Sequence, residues 1–399
     1  MMRFSAPVLP LCLLIVLFSP IRSHAGQTLG NTISTIERDL STRPESTAAG
    51  PAATERYIAG LVSASLEVFE QSRHLDAPYF GRSAGLDGRP GLFNPDNIYR
   101  SALLSGEGRY RITGKRGSHA LFTLQILDAY PVIALGKNLA VIDLDALGIR
   151  AGEDFSITLG GARAEGRWFA LHPSARAVLA RQTFTDWNTE TPSTFRIERL
   201  DTAASPVDAR VPGASAADYL AAASRLWNSG LYARVPVNAF PPPRPSDTAA
   251  GGLGGQQSVM ARFRLDVGMA LVVSVRRSAA RYQGIQVGDP WFVTPNAVDH
   301  TASFSAAQAA VDDDGLLRFV ISDTDPGVAN WLDTANTREG FVFLRWQGLP
   351  APLVAEDAPR IEVVPLSELR AHLPPGTRWL NATERASQTV SRRTVPLRS

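Results

Sequence analysis

Cysteine is nearly absent: Cys12 stands alone in a chain of 399 residues. It lies in an amino-terminal apolar run expected to be removed, so the remaining chain can form no disulfide, thiol nucleophile or thiolate metal site. Lysine is almost as scarce, with only Lys115 and Lys137, and no Gly-x-x-x-x-Gly-Lys phosphate loop exists. There is no His-Glu-x-x-His helix motif and no Gly-x-Ser-x-Gly elbow. His74, His119, His172, His300 and His372 come from five separate segments and read as ordinary surface or loop residues, not a zinc set. No apolar run approaches the roughly 20 residues that span a bilayer.

The longest such run, Val8 to Phe18, follows the basic Arg3 and precedes Pro20 and the small-x-small sequence Ser23-His24-Ala25. At about 11 residues it suits a secretory signal peptide cleaved after Ala25. The expectation is a periplasmic or secreted protein with no integral membrane segment after cleavage. Residues 1–25 carry Arg3 and Arg22 and no acid, so 38 basic residues remain against 38 acidic ones. A balanced chain offers no field for nucleic acid or an anionic membrane surface.

Residues 26–53 are rich in Thr, Ser, Ala and Gly and read as a mobile leader. Ile58, Leu61, Val62, Leu66 and Phe69 then repeat at helical spacing. Beyond a Gly-Pro-Asn-Asp loop, short strand-like segments follow one another: 109–113, 120–127, 155–159, 167–171, 178–184 and 194–200. A helix over 216–228 closes a first block spanning 54–235. The Pro- and Gly-rich stretch 236–255, with Gly251 to Gly255, reads as a linker. A second β block, 256–372, holds strands over 270–275, 282–287, 316–322 and 341–346. Residues 373–399 read as a disordered tail. Short strands punctuated by Gly and Pro predict a mainly β protein, an antiparallel β-sandwich or jelly roll with a few flanking helices. The two blocks share a loose rhythm too weak to define a repeat.

Candidate chemistry lies in two acidic groups. Asp186 and Glu190 flank Trp187 just past a strand, where a carboxylate pair beside a stacking ring could act on glycans. Asp323, Asp325 and Asp333 form an oxygen-rich loop that would suit calcium, although its spacing fits no calcium-loop signature. Asp312 to Asp314 followed by Gly315 read as a turn. Tyr282, Trp291, Trp331 and Trp346 concentrate aromatic surface in the second block.

The string from Val311 to Trp346 resembles the carboxy-terminal pattern of the family catalogued as domain of unknown function 1214. Asp314-Gly315, Pro326, Asn330-Trp331-Leu332 and Arg345-Trp346 carry the resemblance, over roughly a tenth of the chain. It implies a β-sandwich or jelly roll and no particular reaction. Two functions stay open. One is a binding protein that holds a small-molecule, lipid or glycan ligand near Trp187, Tyr282, Trp291, Asn330 and Trp331. The other is a carbohydrate-directed hydrolase or lyase using Asp186, Glu190, Asp325 and Arg345. No cofactor or metal is implied, and the binding reading is preferred because no carboxylate pair shows catalytic spacing.

Overall fold

The computed structural model describes residues 28–83, 88–201 and 215–393. The expected signal peptide lies outside them. No helix of the described residues is long and apolar enough to cross a membrane.

The protein is mainly β, with four sheets and few helices. The stretch read as a mobile leader is helical, forming α1 (Leu29–Ser41) and α2 (Pro44–Ala49). The helix expected from Ile58, Leu61, Val62, Leu66 and Phe69 is present as α3 (Pro51–Ser72). Thr28 caps α1 by accepting from the Asn31 amide, and Ile36 and Leu40 bury one face. Pro51 opens α3 after Gly50, whose φ of 79° lets the chain reverse. These helices pack with α4 (Ala216–Trp227), which starts in a Ser215/Asp218 capping box, around Tyr57, Leu61, Tyr219 and Leu220. The short α5 (Leu231–Arg234) follows.

The first block contains β1 (Gly81–Arg82), β2 (Asn97–Leu103), β3 (Tyr110–Lys115), β4 (Leu121–Leu127), β5 (Asn138–Asp143), β6 (Asp154–Leu159), β7 (Trp168–Phe169), β8 (Ala177–Thr183) and β9 (Thr194–Arg199). The second contains β10 (Arg244–Pro245), β11 (Gln256–Arg264), β12 (Met269–Arg276), β13 (Tyr282–Gly288), β14 (Ser303–Ser305), β15 (Leu316–Ser322), β16 (Trp331–Asp333), β17 (Glu339–Gln347) and β18 (Arg360–Pro365). In each block two sheets face each other across an apolar core. Ile112, Phe122, Leu124, Val178 and Ile157 fill the first; Leu271, Val273, Ile285, Phe319, Leu344 and Trp346 fill the second. The expected linker is part of this structure, since β10 pairs with β11 and Val237 bridges Arg262. The short α6 (Leu369–His372) closes the second block, and the expected tail also folds back, through α7 (Ala382–Arg393), whose Arg385 pairs with Asp325.

The two blocks have one topology. The first pairs its strands as β1-β2-β8-β4-β5 and β7-β6-β3-β9; adding nine to every number gives the second, β10-β11-β17-β13-β14 and β16-β15-β12-β18. The lone parallel pair in each, β6 with β7 and β15 with β16, also corresponds. Equivalent positions make equivalent bonds. The Trp168 indole donates to the Gly160 carbonyl at 3.0 Å, and the Trp331 indole donates to the Ser322 carbonyl at 3.2 Å. The Thr158 amide donates to Arg167 O at 2.8 Å and the Val320 amide to Asn330 O at 3.0 Å. The rhythm that was too weak to define a repeat in sequence is therefore a structural duplication.

A strand on the open face of an antiparallel sheet alternates between buried and exposed residues. Strands β4 and β13 do not: all seven residues of each are buried. Their outer faces, with those of β8 and β17, meet at a seam between the blocks, bordered by the helical layer. Tyr57 stacks on Trp291 at 4.7 Å, and Arg56 pairs with Asp289 at 3.0 Å, fastening α3 to the second block.

Candidate functional site: a cationic seam between the blocks

Equivalent residues meet at the seam. Thr183 ends β8 and Gln347 ends β17, and the Thr183 hydroxyl donates to Gln347 Oε1 at 3.4 Å. Two residues back on each strand stand Arg181 and Arg345, close enough for the Arg181 charge to act on Arg345. Two residues further back, the neighbouring strands place Gln125 opposite Leu179 and Gln286 opposite Phe343. Each block thus presents an arginine and a glutamine at matching positions on the same face.

The second block's pair is fully engaged. The Arg345 guanidinium donates to the Leu92 carbonyl at 2.9 Å and to the Gln286 side-chain oxygen. Gln286 Nε2 donates to the same Leu92 oxygen at 3.1 Å, to Phe93 O at 3.2 Å and to Thr294 Oγ1 at 3.0 Å. Beside it, Tyr282 donates to Asp96 Oδ2 at 2.6 Å and accepts from Asn94 Nδ2 at 2.7 Å. Gly284 makes room for that phenol, because a Cβ there would fall 2.0 Å from the Tyr282 oxygen.

The first block's pair is not engaged. Arg181 has no hydrogen bond or ion pair among the described residues, only the Tyr99 ring face 5.4 Å from its guanidinium carbon. Gln125 is fully buried, with neither amide atom partnered among the described residues. Arg181 is surrounded by protein yet keeps part of its surface accessible, as do Phe93, Met260 and Phe343 nearby. Burial lowers the pKa of both arginines, and Arg392 from α7 is brought down to about 10, although guanidinium groups remain cations throughout the physiological range. The Asp96 carboxylate acts on Arg345 and Arg392, and the Arg181 charge acts on Arg345.

The sequence candidates fall at different places. Arg345 and Tyr282 come together in the seam. Trp187 is buried at its margin, with Arg392 5.1 Å over its ring and also over Phe304. Trp291 is buried against Tyr57 and donates to Thr54 Oγ1 at 3.0 Å. Asp186 and Glu190 serve their own loop: Asp186 Oδ1 accepts from the Asn188 amide at 3.0 Å, and Glu190 accepts from the Thr185 amide at 2.9 Å and the Thr185 hydroxyl. Asp325 pairs with Arg385 at 2.9 Å, and Asp333 with His300 at 2.7 Å. Among the described residues, no group of three or more His, Cys, Asp or Glu is placed to hold a metal ion. Asn330 and Trp331 hold a strand corner, Trp331 beneath the Arg385 guanidinium at 5.2 Å.

Sequence reading missed Arg181, Gln125, Tyr99, Asp96 and Gln286; nothing short of the fold shows that their strands are covered on both faces. His119 is not at the surface. It is buried, with Nδ1 2.9 Å from Leu121 O and Nε2 2.9 Å from Ser193 Oγ. Ser193 is buried as well, so this serine–histidine contact is sealed from substrate.

Fold and seam together define a duplicated β protein with arginines gathered where its halves meet. The fold is shared with a crystal structure of an uncharacterized protein from Burkholderia cenocepacia, at a TM-score of 0.73 and 27% identity over 85% of this chain and 96% of that one. A protein from Vibrio parahaemolyticus aligns at a TM-score of 0.45 and 9% identity over 78% and 98% of the two chains. No protein-family model matches the chain, and no curated protein matches it.

Proposed function

We propose that this is an exported binding protein that holds a small molecule in the seam between its two blocks, each read as a jelly-roll β-sandwich. The observation that carries the reading is Arg181: a deep, partly accessible cation without a hydrogen-bonding or ionic partner among the described residues. Burying an unpaired charge is costly, and proteins keep such groups where a ligand supplies the partner. Aromatic and apolar side chains around it give a wall for an apolar body, the usual composition of a small-molecule site. The amino-terminal signal sequence supports export, and the Asn330-Trp331-Leu332 corner supports membership in the family of domain of unknown function 1214. Binding is preferred over glycan hydrolysis because Asp186 and Glu190 are engaged in turn hydrogen bonds within their own loop.

Native mass spectrometry of the mature protein from its own host tests this. A co-purifying small molecule lost on denaturation, and absent from Arg181→Gln, is the expected result. A clean apo mass for wild type, with no binding in a small-molecule screen, would overturn the reading.

A further inference from the structure

The duplication turns the two arginine–glutamine pairs into an internal comparison. In the second block Arg345 and Gln286 converge on one oxygen, the carbonyl of Leu92, which receives a guanidinium N–H at 2.9 Å and an amide N–H at 3.1 Å. The acceptor is supplied by the segment that precedes β2 and crosses the seam to lie on the second block. In the first block Arg181 and Gln125 hold the corresponding strand positions: Gln125 lies opposite Leu179 and Arg181 opposite Thr123, as Gln286 lies opposite Phe343 and Arg345 opposite Gly284. The segment preceding β11 is the glycine-rich Gly251 to Gly255, which reaches the first block where Asn138 donates to the Gly252 carbonyl at 3.2 Å. It supplies no acceptor to Gln125 or Arg181. One half of a duplicated oxygen grip is closed by the chain itself, and the other half is left with its donors unpartnered among the described residues.

We infer that Arg181 and Gln125 bind a carboxylate carried on an apolar body, in the way that Arg345 and Gln286 hold the Leu92 carbonyl. This rests on the binding reading above and names the chemistry of the ligand. A carboxylate fits for three reasons. A guanidinium presents two parallel N–H groups that match its planar oxygens. The Arg181 charge acts unfavourably on Arg345, so an anion beside Arg181 relieves repulsion that a neutral ligand would leave in place. The surrounding Phe93, Tyr99, Leu127, Leu179, Met260 and Phe343 offer hydrocarbon and ring surface and little hydrogen-bonding capacity, which suits an acyl or aromatic body and not a sugar.

The test compares dodecanoate with dodecanol on the mature, full-length protein by isothermal titration calorimetry. The two share a chain and differ in the head group. Dodecanoate is expected to bind at least about tenfold more tightly, the usual worth of a charge-assisted hydrogen bond. Arg181→Gln and Gln125→Leu are each expected to abolish that preference. Circular dichroism checks folding. Because Arg181 makes no ionic contact that holds the fold, Arg181→Lys, which keeps the charge but loses the fork, serves as a second variant and should retain part of the preference. Equal binding of the two probes, or a full preference in Arg181→Gln, would overturn the carboxylate inference and leave the binding reading standing. Failure of both probes to bind wild type overturns the inference, and the mass-spectrometric search for any other ligand then decides the binding reading separately.

Discussion

The Tyr282 hydroxyl donates to the Asp96 carboxylate at 2.6 Å across the seam, from the second block to the segment that leads into the first. Both groups are buried, and Asn94 Nδ2 and Ser303 Oγ complete the cluster at 2.7 and 3.3 Å. Burial, with the Asp96 charge adding to it, raises the phenol pKa well above its ordinary value, so Tyr282 stays a donor at every physiological pH.

Tyr282→Phe should therefore weaken the junction of the blocks. The ring would still fill the space over Gly284, but Asp96 would lose a donor and Asn94 an acceptor in a place water does not readily reach. Leaving such groups short costs about 1–3 kcal/mol. Urea denaturation should show a loss of about 2 kcal/mol, with the midpoint moving and the slope kept. An unchanged midpoint would mean that water replaces the hydroxyl and that the seam is wetter than described.

Much of the fold was legible in the chain. Leu316 to Ser322 and Phe341 to Trp346 were expected as strands and are the bulk of β15 and β17. Helix α4 was read almost to its ends. Helices α1 and α2 were missed because Thr, Ser and Gly dominate residues 26–35, although Leu29, Ile33, Ile36 and Leu40 form a helical stripe that tertiary packing exploits. The duplication was hidden for a different reason. Equivalence lies in strand pairing and backbone hydrogen bonds, which tolerate Thr158 against Val320 and Arg167 against Asn330. Scattered identities survive, among them Trp168 with Trp331, Gln125 with Gln286 and Arg181 with Arg345. Arg181 could not be singled out because an arginine next to Gln182 and Thr183 reads as the solvent-facing end of a strand. Its significance depends on the second block covering that face.

Two buried groups should give the protein opposing responses to acid. Burial, and then the Arg116 charge, depresses the His119 pKa to about 3, while an unfolded histidine titrates near 6.5. Below pH 6.5 the unfolded chain takes up this proton and the folded one does not, so His119 removes stability as pH falls from 6.5 toward 3. Asp289 behaves in reverse. Burial raises it to about 6 despite Arg56, so the folded state binds its proton first and stability is gained as pH falls from 6 toward 3.8. Each group contributes a slope of about 1.4 kcal/mol per pH unit in its window. Relative to wild type, His119→Gln should become less destabilising as pH drops from 7 to 4.5, and Asp289→Asn should lose its acid gain over the same range. Guanidinium denaturation at both pH values measures this. Parallel pH profiles for wild type and His119→Gln would show that the imidazole is protonated in the folded state.

Asn330 stands in the Asn-Trp-Leu string that drew attention in the sequence, and its geometry assigns it a corner. Its Oδ1 accepts from the Ala310 amide at 2.8 Å, and its Nδ2 donates to Ala310 O at 2.7 Å and Arg318 O at 3.0 Å. Three backbone groups from two segments thus converge on one buried side chain. The equivalent position in the first block is Arg167, where the backbone bond to β6 is kept and the side chain is exposed, so the corner device belongs to the second block alone. Asn330→Ala would strand those groups at about 1 kcal/mol or more apiece, for a total loss of about 3 kcal/mol. Asn330→Asp should lose nearly as much, because a carboxylate accepts from the Ala310 amide but cannot donate to either carbonyl. Thermal denaturation of both variants checks the size of the effect, and calorimetry with dodecanoate checks its place. A corner residue lowers the melting temperature without altering the affinity of the protein that stays folded, whereas a weakened affinity in a stable Asn330→Ala protein would move this residue into the binding site.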